Sequence, residues 1–271
     1  MELKLGFIGA GNMAWAMIGG IVKAGLVPGA QICVSNPSQG KLDRLQQDYG
    51  VCITNDNREA AAFARDILFL CVKPGVLPAV AAEIRDAVAA GTMVVSIAAG
   101  KSLASIEEAF GRKPALVRVM PNTPALVGAG CSAICGNVEA LKPERAAQFA
   151  AVQTLCGSFG TVVQMPEQLI DVAGQVAGAS PAWIFMVIEA LADGAVAEGM
   201  PRAMAYQLAA AGVMGAGKLA LEEGGNPGAL KDMVTSPGGT TIQGLRVLEE
   251  RAVRGAFMDA VIRAVERARG L

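Results

Sequence analysis

The 271-residue chain contains no histidine, and that single absence removes several chemistries together. Without imidazole there is no Ser-His-Asp triad, no His-ligated zinc and no histidine proton donor. Aromatic residues are scarce, at 4%, so helices must pack through aliphatic and small side chains. Charged residues make up only 17% of the chain, for a net charge of -1. This gives no basic surface for a nucleic acid and no signature of disorder. The six cysteines, Cys33, Cys52, Cys71, Cys131, Cys135 and Cys156, include no Cys-x-x-Cys pair. Scattered through apolar runs, they read as reduced core thiols of a cytoplasmic protein, and no metal site is expected. Long uninterrupted apolar runs are missing too. The longest uncharged interval, between Arg118 and Glu139, is broken by Pro121, Asn122, Pro124 and Asn137, so no membrane crossing is expected there. The opening Met1-Glu2-Leu3-Lys4 carries an acidic residue and does not read as a signal peptide.

What is present begins with Leu3 to Gly20. A short apolar run, Leu3 to Ile8, reads as a buried strand. It meets Gly9-Ala10-Gly11-Asn12-Met13-Ala14, and an apolar run with helical spacing starts at Trp15. Strand, glycine turn and helix in that order are the dinucleotide fingerprint. Gly9 permits the tight turn, Gly11 lets a pyrophosphate approach the backbone, and small Ala14 lets helix and strand lie close. An ordinary strand-to-helix turn would look similar; the correct flanking context favours a nucleotide site.

Further strands are expected at Gln31–Ser35, Val51–Thr54, Ile67–Val72, Met93–Ile97 and Ala115–Met120, with helices near 39–49, 58–64, 76–89 and 103–110 between them. This alternation implies an α/β fold, a Rossmann-type doubly wound sheet, whose ligands lie beyond the carboxyl ends of the strands. Val72, Lys73 and Pro74 occupy one such end, Ala98 and Ala99 another, and Pro121-Asn122 a third. The second strand ends in Ser35-Asn36-Pro37-Ser38 with no acidic residue to hold a ribose 2′-hydroxyl, and Lys41 and Arg44 follow. A 2′-phosphate is tolerated there, so NADPH is favoured and NADH remains possible. Alternatively, Asn36 or Ser38 simply caps the helix that follows. Two more strands, Ser132–Cys135 and Thr161–Val163, flank a helix near 143–159.

Beyond Pro166 strand signals disappear. Ser180-Pro181 reads as a helix start, with helices over 183–198, 201–223, 241–251 and 253–269 and a short one from Asn226-Pro227. Several are apolar around most of their circumference, which a tail of this size cannot hide alone. A homodimer with interleaved helices is therefore expected. The domains expected are residues 1–164, dinucleotide-binding, and 165–271, an all-α dimerisation and substrate-binding domain. Inside the tail, Pro237-Gly238-Gly239 breaks a helix and Gly239-Thr240-Thr241 opens another. Free N–H groups beside hydroxyls suit a carboxylate, although a capped interhelical turn has the same composition.

Together Gly9 to Ala14, Val72-Lys73-Pro74, Met120-Pro121-Asn122-Thr123-Pro124 and above all Asp232 to Leu245 resemble the pyrroline-5-carboxylate reductases over nearly the whole chain. The resemblance implies reduction of 1-pyrroline-5-carboxylate to L-proline, the last step of proline biosynthesis, by a dimer that in some members forms a decamer of five dimers. It places cofactor contacts on Ala10, Asn12, Met13, Ser35, Pro37, Asn57, Val72, Lys73 and Ala99. Substrate contacts fall on Ser236, Gly239 and Thr240, with Val234 in the same segment, and the proton-donating hydroxyl on Thr241. The chain departs from the family at Ala177-Gly178-Ala179-Ser180-Pro181-Ala182-Trp183, where Ser-Gly-Ser-Gly-Pro-Ala-Tyr is common; two hydroxyls and a tyrosine are lost. A β-hydroxyacid dehydrogenase shares the general plan and uses a helical lysine with an asparagine four residues on. Here Lys218 is followed at that spacing by Glu222.

Overall fold

Gly9 marks the place where the architecture turns from sheet to ligand. In a computed structural model, which describes residues 2–270, β1 (Leu5–Ile8) runs into Gly9 and α1 (Asn12–Lys23) begins three residues later. The helix therefore starts at Asn12 rather than Trp15. Gly11 serves as its N-cap in an extended conformation, so the first turn is built from the glycine segment itself. Then follow β2 (Ile32–Ser35), α2 (Gln39–Tyr49), β3 (Cys52–Thr54), α3 (Asn57–Phe63), β4 (Ile67–Leu70), α4 (Leu77–Ile84), β5 (Met93–Ser96), α5 (Leu103–Phe110) and β6 (Leu116–Met120). All these strands pair in parallel, in the order β3-β2-β1-β4-β5-β6. The order reverses between β1 and β4, the topological switch point at which doubly wound sheets bind ligands.

Two strands extend the sheet beyond β6. β7 (Gly130–Gly136) is antiparallel to β6, and β8 (Gly160–Gln164) is parallel to β7. Between them a 3-10 turn, Pro143–Arg145, precedes α6 (Ala146–Gly157). β1, β2, β4 and β5 are buried at every position, because helices cover both faces of a parallel sheet. One apolar cluster, with Phe7, Met17, Ile18, Leu42 and Phe159, lies on one face; a second, with Leu68, Leu77, Ile84 and Phe110, lies on the other. Phe7 and Phe69 stack across β1 and β4 at 4.5 Å.

The α-helix expected from Ser180-Pro181 begins there, with Pro181 in its first turn, but it continues helical structure that starts further back. Helical structure begins at Glu167 and continues through α7 (Ile170–Ala173) and a π-helical turn, Gly174–Ala179, into α8 (Ser180–Ala197). The chain divides into two compact units, Met1–Gly178 with Arg267–Leu271, and Ala179–Glu266. The second holds α8, α9 (Arg202–Glu223), α10 (Pro227–Met233), α11 (Thr240–Glu250) and most of α12 (Val253–Ala268). Within it α8 buries only Ala192 and α9 only Ala205, while α10, α11 and α12 bury nothing among the described residues. Phe185, Met186, Leu208, Met214 and Leu221 are all more than half exposed. An apolar groove of about 410 Å³ runs between α8 and α9, lined by Leu191, Ala205, Leu208, Gly212 and Val213 among others. By length and composition Glu167–Ala197 is apolar enough to cross a membrane. Its first turns, however, carry Glu167 and Asp171, both paired with Arg118 of β6.

Candidate active site

Gly9 meets two demands that only glycine satisfies. Its φ is +103°, and a Cβ there would lie 2.5 Å from the carbonyl oxygen of Cys71. That approach is forced by the sheet, since Gly9 donates its N–H to the Ser35 carbonyl at 2.8 Å and Cys71 donates to that of Ile8 at 2.8 Å. Beyond Gly9 the turn rests on Asn36, whose Oδ1 accepts from Ala10 N–H at 3.2 Å while Nδ2 donates to the Ser38 carbonyl. Asn36 thus ties the glycine turn, through its amide oxygen, to the segment ahead of α2, through its amide nitrogen, instead of capping α2. Ser38, at the N-cap of α2, makes no side-chain cap either. No side chain caps α1, so its leading N–H groups are available to a pyrophosphate.

A cavity of about 350 Å³ opens in front of this turn, lined by Ala10, Gly11, Asn12, Trp15, Lys41, Arg44 and Leu126. The Arg44 guanidinium lies 4.3 Å over the Trp15 ring, and Trp15 meets Tyr49 edge-on at 5.3 Å. Two cations therefore face the helix N-terminus across one cavity, without an acidic residue among the lining groups. Cations and helix N–H groups around one cavity suit an anionic ligand.

Other expected cofactor residues are placed differently from their sequence reading. Ser35 is fully buried and its hydroxyl donates to Asn57 Oδ1 at 2.8 Å, so it stands behind the surface a nucleotide would touch. Asn57 in turn donates to Glu83 Oε2 at 2.9 Å. That carboxylate gave no signal in the sequence, because 26 residues separate the partners. Asn122 is 8% exposed, donates to the Ala177 carbonyl and accepts from Cys131 N–H, both at 2.8 Å. One N–H and one lone pair of its amide are thus engaged within the protein. Met13 in the first turn of α1 and Val72 and Pro74 beyond β4 are half-buried, Asn12, Pro37, Lys73 and Ala99 are exposed, and Ala98 is buried.

In the second unit, α10 ends at Met233 and α11 starts at Thr240, with Gly239 as an extended N-cap lacking a side-chain bond. The intervening bend is fixed from within. Thr235 Oγ1 donates to the Lys231 carbonyl at 2.6 Å, and Gly239 N–H donates to the Ser236 carbonyl at 3.1 Å. The Ser236 hydroxyl lies directly over Gly239, where a Cβ would collide with it. Ser236, Thr240 and Thr241 are exposed, as is Val234, and among the described residues none of the three hydroxyls is recorded in a hydrogen bond. Lys218, by contrast, pairs with Glu222 at 3.6 Å on an exposed face of α9, a solvated ion pair of small energetic weight.

A doubly wound sheet, a phosphate-binding turn at its switch point and an uncapped helix start beside free hydroxyls define a class: oxidoreductases that draw hydride from a nicotinamide dinucleotide. Comparison narrows it. Residues 4–100 match the family model described as NADP oxidoreductase coenzyme F420-dependent, and residues 167–271 match that for pyrroline-5-carboxylate reductase dimerisation. The pyrroline-5-carboxylate reductase of Escherichia coli (strain K12) is 45% identical, covering 100% of this chain and 99% of its own. Among solved structures, a pyrroline-5-carboxylate reductase from Coxiella burnetii is similar at a TM-score of 0.92 with 35% identity, covering 100% of this chain and 98% of that one. The Plasmodium falciparum pyrroline carboxylate reductase with NADP bound gives 0.85 with 29% identity, covering 99% and 98%. The chain belongs to the pyrroline-5-carboxylate reductase family.

Proposed function

We propose that the chain reduces the carbon–nitrogen double bond of 1-pyrroline-5-carboxylate to give L-proline, completing proline biosynthesis, with NADPH as hydride donor and NADH as a possible substitute. The observation that carries this reading is the possession, in one chain, of a two-cation nucleotide cavity and an open bend with three unbonded hydroxyls. Each serves one half of the reaction.

The nicotinamide chemistry belongs to the cofactor, and the protein binds and orients it. The turn from Gly9 to Met13 takes the pyrophosphate, and Pro37 and Asn57 border the ribose. Lys41 and Arg44 meet the 2′-phosphate, while Val72, Lys73, Pro74, Ala98 and Ala99 border the nicotinamide half. Ser236 with the N–H of Thr240 takes the substrate carboxylate, beside Gly239 and Val234. Thr241 contacts the ring nitrogen. A threonine hydroxyl is a weak acid, so its role is to orient a protonated imine or relay a proton from water. Holding the ring at attack distance from the hydride is worth on the order of 7 to 11 kcal/mol. The reading requires that a carboxylate held at this bend be presented to the nicotinamide.

The bare helices of the second unit support a homodimer, in which the groove between α8 and α9 receives a helix of a second copy. Burial in that interface also accounts for the apolar stretch Glu167–Ala197 without a membrane, in keeping with a cytoplasmic enzyme. Assembly into a decamer of five dimers would be read by the same mass measurement that detects the dimer. The direct test of activity is oxidation of NADPH by purified protein on addition of pyrroline-5-carboxylate, repeated with NADH. Turnover with NADPH supports the assignment; cofactor binding without oxidation in either case overturns it.

A further inference from the structure

Asn122 braces a break in a helix, and the break has a cause in the sequence. In an α-helix the carbonyl of residue 177 would accept from the N–H of residue 181, but residue 181 is proline. Proline has no N–H to give, and its ring presses on the carbonyl four residues back. The helix answers by widening: Gly174–Ala179 is π-helical. Such turns are uncommon and gather at functional sites. Here the freed Ala177 carbonyl receives the Asn122 amide at 2.8 Å. The other end of that amide holds Cys131 N–H at 2.8 Å, tying the widened turn to the start of β7. Gly174 of the same turn packs on Met120, the last residue of β6, where a Cβ at 174 would stand 3.3 Å from Met120 Cγ. The widened turn is thus fixed to a strand tip at two points.

We infer that Asn122 is a positioning residue: by giving Ala177 the hydrogen that Pro181 withholds, it fixes the π-turn 174–179 against the tip of β6 and shapes the wall beside the nicotinamide. The inference rests on the reading above that the nicotinamide lies at these strand ends. A buried amide that merely satisfies a stray carbonyl would stabilise the fold equally well, so the test must separate geometry from stability.

Asn122→Asp keeps the shape and the acceptor for Cys131 but removes the donor to Ala177. Pro181→Ala gives Ala177 an N–H from its own helix. Melting temperature, NADPH dissociation constant, and kcat and KM for pyrroline-5-carboxylate are measured for wild type, both single variants and the double variant. Asn122→Asp is expected to lower both the melting temperature and kcat, the latter by about tenfold or more, with NADPH affinity held within about twofold. In the double variant the melting temperature rises above that of Asn122→Asp and kcat stays low, since a relaxed helix no longer holds the wall in place. Recovery of kcat together with stability overturns the inference. So does a tenfold loss of NADPH affinity at unchanged kcat, which would make Asn122 a direct cofactor ligand. If Asn122→Asp fails to fold, Pro181→Ala alone decides: kcat falls without a lower melting temperature, and an unchanged kcat overturns the role. Wild-type oxidation of NADPH by the imine separates failure of this inference from failure of the reading beneath it.

Discussion

At the scale of single residues the structure separates side chains that face a ligand from those that hold the facing groups still. Gly9 is constrained twice, by φ and by the Cys71 carbonyl 2.5 Å from any added Cβ. Gly9→Ala should therefore cost about 1 to 3 kcal/mol from backbone strain alone and abolish NADPH binding, measured by thermal melting and fluorescence titration. Lys41 and Arg44 stand for the opposite kind. Removing a charge-assisted bond to a phosphate costs about 1.5 to 3 kcal/mol, so Arg44→Ala should raise the KM for NADPH about tenfold and leave that for NADH unchanged. Thr241→Ala should lower kcat about a hundredfold if its hydroxyl assists proton delivery, and Thr241→Ser should keep most of it. Ser35, Asn36 and Asn122 look in the sequence like ligands because they are polar and sit at strand ends. In the structure each of them also bonds to the protein itself, with partners up to 55 residues away.

Among the elements, β6 and the helix that starts at Glu167 are joined by charge. Arg118, 3% exposed in the middle of β6, donates to Asp171 at 2.6 Å and lies 3.7 Å from Glu167, whose Oε1 also accepts from Leu103 N–H at 2.6 Å. An arginine inside a strand reads from sequence as a position facing solvent. Here it is a pin whose partner lies 53 residues on. Losing one member of a mostly buried pair strands the other, so Arg118→Met should destabilise the chain by about 3 kcal/mol, read from denaturant unfolding. Adding Asp171→Leu should recover part of that loss, because the carboxylate then left without the arginine is Glu167 alone, which still accepts from Leu103 N–H. Helix and strand limits were otherwise legible to within a few residues, since the alternation of apolar runs and glycine or proline breaks directly records burial. The π-turn was not legible, because Pro181 sits where a helix start also favours proline.

The molecule as a whole offers two further outcomes. If the groove between α8 and α9 is a dimer surface, Leu208→Asp should yield monomers by light scattering and lose activity together with assembly. Alkaline stability follows from the thiols, all six of which are unpaired. Burial pushes Cys33 and Cys135 from 9.0 up to about 11 and Cys156 up to about 12. Below pH 9 these thiols are protonated in both states. Above it the unfolded chain ionises first while the folded chain keeps its protons, so stability falls as pH rises through the folded values. Melting temperatures should hold from pH 7 to 9 and drop above that, with a shallower drop in Cys33→Ala and Cys135→Ala.

The sequence by itself determined the alternation of strands and helices, the glycine turn after β1, the absence of imidazole chemistry and the bend between α10 and α11, because each is written in a local pattern of residue types a few positions apart. Only the tertiary structure decided that β7 turns antiparallel, that Ser35 and Asn122 are buried and bonded within the protein, and that Arg118 is a buried pin. These depend on which distant groups reach the same buried space, and hydrogen bonds made there leave no trace in local spacing.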